Sequence, residues 1–151
     1  MKYKGSTFEY RDERNADLLD AYKREMASNS NISLTEIAER IANSPSRRFW
    51  VSEERATIVI SAMLKGDKLS AMNPTKREMF LEIYRRYCVY RKQHPTLTKR
   101  EIIFHICNEE APKWYLTPKS VIVLLHKVRK EARKKCYESR KSRLHFMFSL
   151  S

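Results

Sequence analysis

Glycine is almost missing from this chain: Gly5 and Gly66 are the only two in 151 residues. Loops that cradle phosphates through backbone N–H groups, whether of the P-loop or the dinucleotide type, need clustered glycines, so neither is present. No run of about 18 apolar residues is available to span a membrane. The opening MKYKGSTFEY also lacks the apolar centre of a signal peptide. The expectation is an intracellular, cytoplasmic chain, nucleoid-associated if the host is bacterial. Cys88, Cys107 and Cys136 form an odd, scattered set with no CxxC pair, which argues against a disulfide framework and against a zinc cage. His94, His105 and His126 have no second ligand pair at metal spacing, and Glu109-Glu110 has no partner acid. No metal, no cofactor and no enzymatic activity are therefore expected.

Acidic residues are also scarce, but only in half of the chain. The formal charge is +13 in 18.0 kDa. Residues 1–70 hold 12 Lys/Arg against 11 Asp/Glu, whereas residues 71–151 hold 19 against 7. Such one-sided charge implies a polyanionic partner, with nucleic acid ahead of a membrane surface or an acidic protein. A hydrophobic share of 42% supplies a core.

Apolar periodicity and end signals give an all-α fold of two tandem three-helix units. The first helix spans Arg11 to about Ala27, with Leu18, Leu19, Tyr22 and Met26 on one face. A second starts at Ser33, where Ser33 and Glu36 fit a capping box and Ile32 and Ile37 a hydrophobic staple. The third, SEERATIVISAMLKG, is entered at Ser52 and closed by Gly66, a residue suited to the left-handed position after a helix. Unit one thus covers 11–66. Asn73-Pro74 restarts the pattern. Leu19, Tyr22 and Arg24 recur as Leu81, Tyr84 and Arg86. After a three-residue extension near His94-Pro95, Ile32, Ser33, Glu36, Ile37, Ile41 and Asn43 recur as Leu97, Thr98, Glu101, Ile102, Ile106 and Asn108. Unit two covers 73–139, and its third helix, from Thr117-Pro118, runs past the point where unit one stops, to about Ser139. Residues 140–151 are a tail that packs back, mediates dimerisation or stays disordered.

The two third helices differ in charge. On a helical wheel Val121, Leu124, Leu125, Val128 and Ala132 share the core face. Opposite lie Lys119, His126, Lys127, Lys130, Arg133 and Lys134, interrupted by Val123. The equivalent face of unit one carries Glu54, Ile58, Ser61, Ala62 and Lys65. A solvated face explains most charge runs; here the fold does not demand one, since its other copy lacks it. The entrance Thr117-Pro118-Lys119-Ser120 offers hydroxyls, a cation and free N–H groups to an anion, whereas Ser52-Glu53-Glu54 presents two carboxylates.

The second and third helices of each unit resemble helix-turn-helix DNA-binding domains, over about residues 33–66 and 98–135. The resemblance implies that the helix from Thr117 contacts bases or phosphates through Lys119, Ser120, Val123, His126 and Lys127. The connectors, 44–51 and 109–116, are longer than the usual three- or four-residue turn, so phosphate tracking along the long helix is the safer expectation. The resulting site comprises Lys113, Thr117, Lys119, Ser120, His126, Lys127, Lys130, Arg133, Lys134 and Lys135. Arg47, Arg48, Tyr87 and Tyr90 are secondary candidates. Within YRRYCVYRK, Tyr87 and Tyr90 replace Glu25 and Ser28 of the first copy, so they are open to stacking on unpaired bases. The expected function is a non-enzymatic duplex-DNA-binding protein, regulatory or architectural, of the kind carried by bacteria or mobile elements, with unit one used for packing or dimerisation. RNA or single-strand binding, or a structural role on an acidic protein, are the alternatives.

Overall fold

The computed structural model describes residues 7–149, with side chains from residue 10 onward. Six helices make up the described chain: α1 Thr7–Ser28, α2 Leu34–Ala42, α3 Glu53–Leu64, α4 Pro74–Gln93, α5 Lys99–Cys107 and α6 Pro118–Ser149. The fold is all-α; among the described residues the only β-type pairing is one isolated bridge, described below.

Local chemistry sets the helix ends. Ser33 accepts from the Glu36 N–H while the Glu36 carboxylate accepts from the Ser33 N–H, and Thr98 and Glu101 repeat that box. Each box satisfies two N–H groups that a helix start leaves unpaired. The same two helices end alike: the amides of Asn43 and Asn108 donate back to the carbonyls of Glu39 and Phe104. Ser52 caps α3 by accepting from the Arg55 N–H. At its other end Gly66 takes φ +100°, its N–H reaches the Met63 carbonyl and the Asp67 N–H reaches the Ala62 carbonyl. That is a Schellman closure, and glycine is the residue that adopts it without a Cβ penalty.

Packing does not follow chain order. α3 packs against α4 and α5, whereas α6 packs against α1 and α2. The groupings 11–66 and 73–139 expected from the sequence therefore exchange their third helices. One core contains Phe49, Ala56, Ile60, Phe80, Ile83, Ile102 and Ile106. The other contains Leu18, Ile37, Ile41, Trp50, Trp114, Val121 and Leu125.

The connectors explain the exchange. A three- or four-residue turn would fold each third helix back onto its own pair, whereas eight residues can span up to about 26–29 Å. The connectors instead cross, and Ser46 and Ala111 exchange both backbone hydrogen bonds at 3.0 Å. A tight turn at Trp50, where the Val51 N–H reaches the Phe49 carbonyl, and a left-handed Tyr115 split each aromatic pair: Phe49 and Tyr115 enter one core and stack at 6.0 Å between ring centroids, while Trp50 and Trp114 enter the other and meet at 5.8 Å.

α6 also outruns its expected end. It continues as helix to Ser149, and residues 133–149 are all exposed, so this stretch neither packs back nor stays irregular. After Pro118 the helix contains no glycine or proline, and Lys, Arg, Glu, Ala and Leu sustain it. Leu150 and Ser151, the end of the expected tail, and Met1–Ser6, within the opening segment, lie outside the described residues.

Candidate nucleic-acid interface

α6 is anchored by Val121, Leu125 and Val128, which are buried, with Leu124 and Ile122 partly so. Residues three, four and seven apart share a helix face, so burying this stripe turns the opposite one outward. Lys119, Ser120, His126, Lys127, Lys130, Arg133, Lys134 and Lys135 are all exposed. Val123 interrupts them and is also exposed. From Lys119 to Lys134 the row is about 22 Å long at 1.5 Å per residue.

Among the described residues no salt bridge involves any of these side chains. The six ion pairs lie elsewhere, on α1, α2, α4 and the connectors. Arg133 donates only to the Arg129 carbonyl one turn back, at 3.3 Å. At the helix entrance the Thr117 hydroxyl accepts from the Ser120 N–H at 3.2 Å and donates to the Ser120 hydroxyl at 3.0 Å. The entrance is capped, and Lys119 stands exposed beside it.

Lys113 and Arg48, also expected contacts, are committed to the fold. The Lys113 ammonium pairs with Glu78 at 2.7 Å. Arg47 is exposed, and its backbone N–H donates to Asp17. Arg48 donates to the carbonyls of Phe49 and Val51, approaches Glu13 at 3.9 Å and lies over the rings of Tyr10 and Trp50. That guanidinium holds the connector rather than facing solvent.

Tyr87 is a correction. It is buried in the core around α3, α4 and α5, and its hydroxyl accepts from Arg91. α3 and α5 both pack against α4, which makes this position interior. Tyr90 is half-buried, and its hydroxyl donates to the Glu109 carboxylate, a bond that holds the phenol above its usual pKa. The Tyr87 ring is not presented for stacking on a base.

The helix pair implied by the resemblance is also rearranged. α6 makes no packing contact with α5; its neighbours are α2 and α1.

Sequence reasoning missed Arg140, Lys141 and Arg143, which are exposed on the far part of α6. The signal was the unbroken absence of helix breakers after Pro118. Lys141 lies seven residues beyond Lys134, so it continues the same face. The far end is also apolar, with Leu144, Phe146, Met147 and Phe148 exposed.

Among the described residues no three His, Cys, Asp or Glu side chains gather as metal ligands, and no helix is long and apolar enough to cross a membrane. Burial pushes the Cys107 thiol up to about 12, which makes it a neutral core group. Comparisons with protein-family models, with curated proteins and with solved structures return no match.

Proposed function

We propose that the protein is a small, non-enzymatic DNA-binding protein, regulatory or architectural, that follows the phosphate backbone of a duplex with the outer face of α6. The observation that carries this reading is the exposed row Lys119, Lys127, Lys130, Arg133 and Lys134, none of which has an ionic partner within the described molecule. Extended to Lys141, the row is about 33 Å long, close to the roughly 34 Å of one B-DNA turn. Its counterpart on α3 carries Glu54, Ile58, Ser61, Ala62 and Lys65, so the charge is an addition to the fold rather than a requirement of it.

The same reading takes α1–α3 and α4–α6 as an internal duplication. Its support is the recurrence, 65 positions apart, of a capping box, an Asn closure and an aromatic pair, with Ser46 and Ala111 paired across the centre. Any helix-turn-helix-like contact would then combine α2 with α6. Transcriptional control within a bacterium or mobile element is the setting such a protein fits.

Titration of labelled duplex DNA at increasing salt tests the proposal. Log affinity should fall linearly with log salt, with a slope near −0.9 per phosphate neutralised. Absent or salt-independent binding would overturn it, and tighter binding to single strands or RNA would move the assignment to those. A second reading, a structural protein that assembles with itself or on an acidic partner, is favoured by the exposed Leu144, Phe146 and Met147 on the projecting helix. A protein partner retained from a nuclease-treated lysate, with no DNA affinity, would support it.

A further inference from the structure

A cavity of about 580 Å³ lies where the crossed connectors meet α1, α3 and α4. That volume is in the range of small-molecule sites. Leu69, Met79, Phe80 and Tyr115 give it apolar walls, and both tryptophans of the chain, Trp50 and Trp114, line it. Three cations also line it: Arg14, half-buried, and Arg55 and Lys76, exposed. Its one carboxylate, Asp67, already accepts from the Leu69 N–H at 2.8 Å.

Three buried polar atoms of the described side chains have no hydrogen-bond partner: the indole nitrogens of Trp50 and Trp114 and the Nε of Arg14. All three are N–H donors, and all three belong to side chains that line this cavity. Buried donors without acceptors are rare in folded proteins, and a cluster of them calls for a physical explanation. Burial also holds the Arg14 guanidinium below its ordinary pKa, a cost that a nearby anion would offset. The surroundings offer positive charge and aromatic surface, with Asp67 as the one carboxylate.

We propose that this cavity binds a small anionic ligand with an aromatic ring, of the aromatic carboxylate class. The ring would meet the apolar and indole walls, and the carboxylate would supply a counter-charge to Arg14, Arg55 and Lys76. A singly charged carboxylate suits such walls better than a phosphate dianion, whose desolvation is costlier. The site is separate from the outer face of α6, so it stands whether or not that face binds DNA.

The test uses the full-length chain, ¹⁵N-labelled, and 1-naphthoate as the probe. The two indole N–H cross-peaks report on the cavity directly, because no other tryptophan exists. Naphthoate should shift them saturably with Kd below about 1 mM. The uncharged 1-naphthalenemethanol should bind roughly tenfold more weakly, since charge-assisted hydrogen bonds are the strong ones. Lys76→Met and Arg55→Met, both at exposed positions, should each weaken naphthoate several-fold. Absence of a saturable shift would overturn the site, and equal affinity for the neutral analogue or unchanged affinity in both variants would overturn its anion specificity.

Discussion

α4 and α6 are both rich in Lys and Arg, yet they use them differently. On α4, Arg85 and Arg86 grip Glu82, Arg86 also reaches Glu109 and the Glu110 carbonyl, and Arg91 holds the Leu97 carbonyl and the Tyr87 hydroxyl. On α6, Lys119, Lys127, Lys130 and Lys134 are exposed and take part in none of the ion pairs. Positive charge alone therefore does not locate a binding face. What distinguishes a structural cation from one available to a polyanion is whether the fold already supplies its acceptor.

Substitutions on α4 should break the protein before they break any contact with a partner. Arg86 bonds three acceptors and lies 4.9 Å over the Phe49 ring. Arg86→Met should cost about 3 kcal/mol, because hydrogen bonds to charged groups are worth roughly 1.5–3 kcal/mol and Glu109 loses its partner. Chemical denaturation would show the loss, and affinity per folded molecule should not change. Arg91→Met should cost about 1–2 kcal/mol, again in stability alone; the Leu97 carbonyl and the Tyr87 hydroxyl lose their donor. A fall in DNA affinity without a fall in stability for either variant would erase the distinction between the helices.

The smallest effect is a pH dependence. Hydrogen bonding by Arg85, with Arg86 adding to it, holds the Glu82 carboxylate below its usual 4.5, against the opposing effect of burial. A depressed carboxylate stabilises the fold above the unfolded value and loses that contribution as pH falls through the lower folded value. Wild type should therefore lose stability below about pH 4.5 more steeply than Glu82→Gln. The difference should reach at most about 1 kcal/mol, as expected for a solvent-screened pair. Identical acid profiles would remove Glu82 from the account.

What the sequence made legible was chemistry that acts over a few residues. The boxes at Ser33 and Thr98, the cap at Ser52, the start at Asn73-Pro74 and the closure at Gly66 each depend on neighbours within one turn. The outward row of α6 was legible because helix geometry fixes which residues oppose Val121, Leu125 and Val128. The exchange of α3 and α6 was not legible, since both helices bury similar aliphatic stripes. The connectors carry the two helices across, and they meet at the pairing of Ser46 with Ala111, residues with no side-chain signature. Tyr87 was misplaced because its burial depends on the packing of α3 and α5 against α4, which acts over long range. The length of α6 was legible in principle, because an unbroken run of helix formers extends to its end.

The central claim is that the outer face of α6 carries the binding charge. The direct measurement replaces Lys119, Lys127, Lys130, Arg133 and Lys134 together with glutamine and compares the salt dependence of duplex binding with that of wild type. The account predicts a slope of log affinity against log salt shallower by about 4 to 5, close to 0.9 per cation removed. The unfolding midpoint should be nearly unchanged, because exposed substitutions of this kind shift stability by about 0.5 kcal/mol or less. An unchanged slope in a folded variant would contradict it.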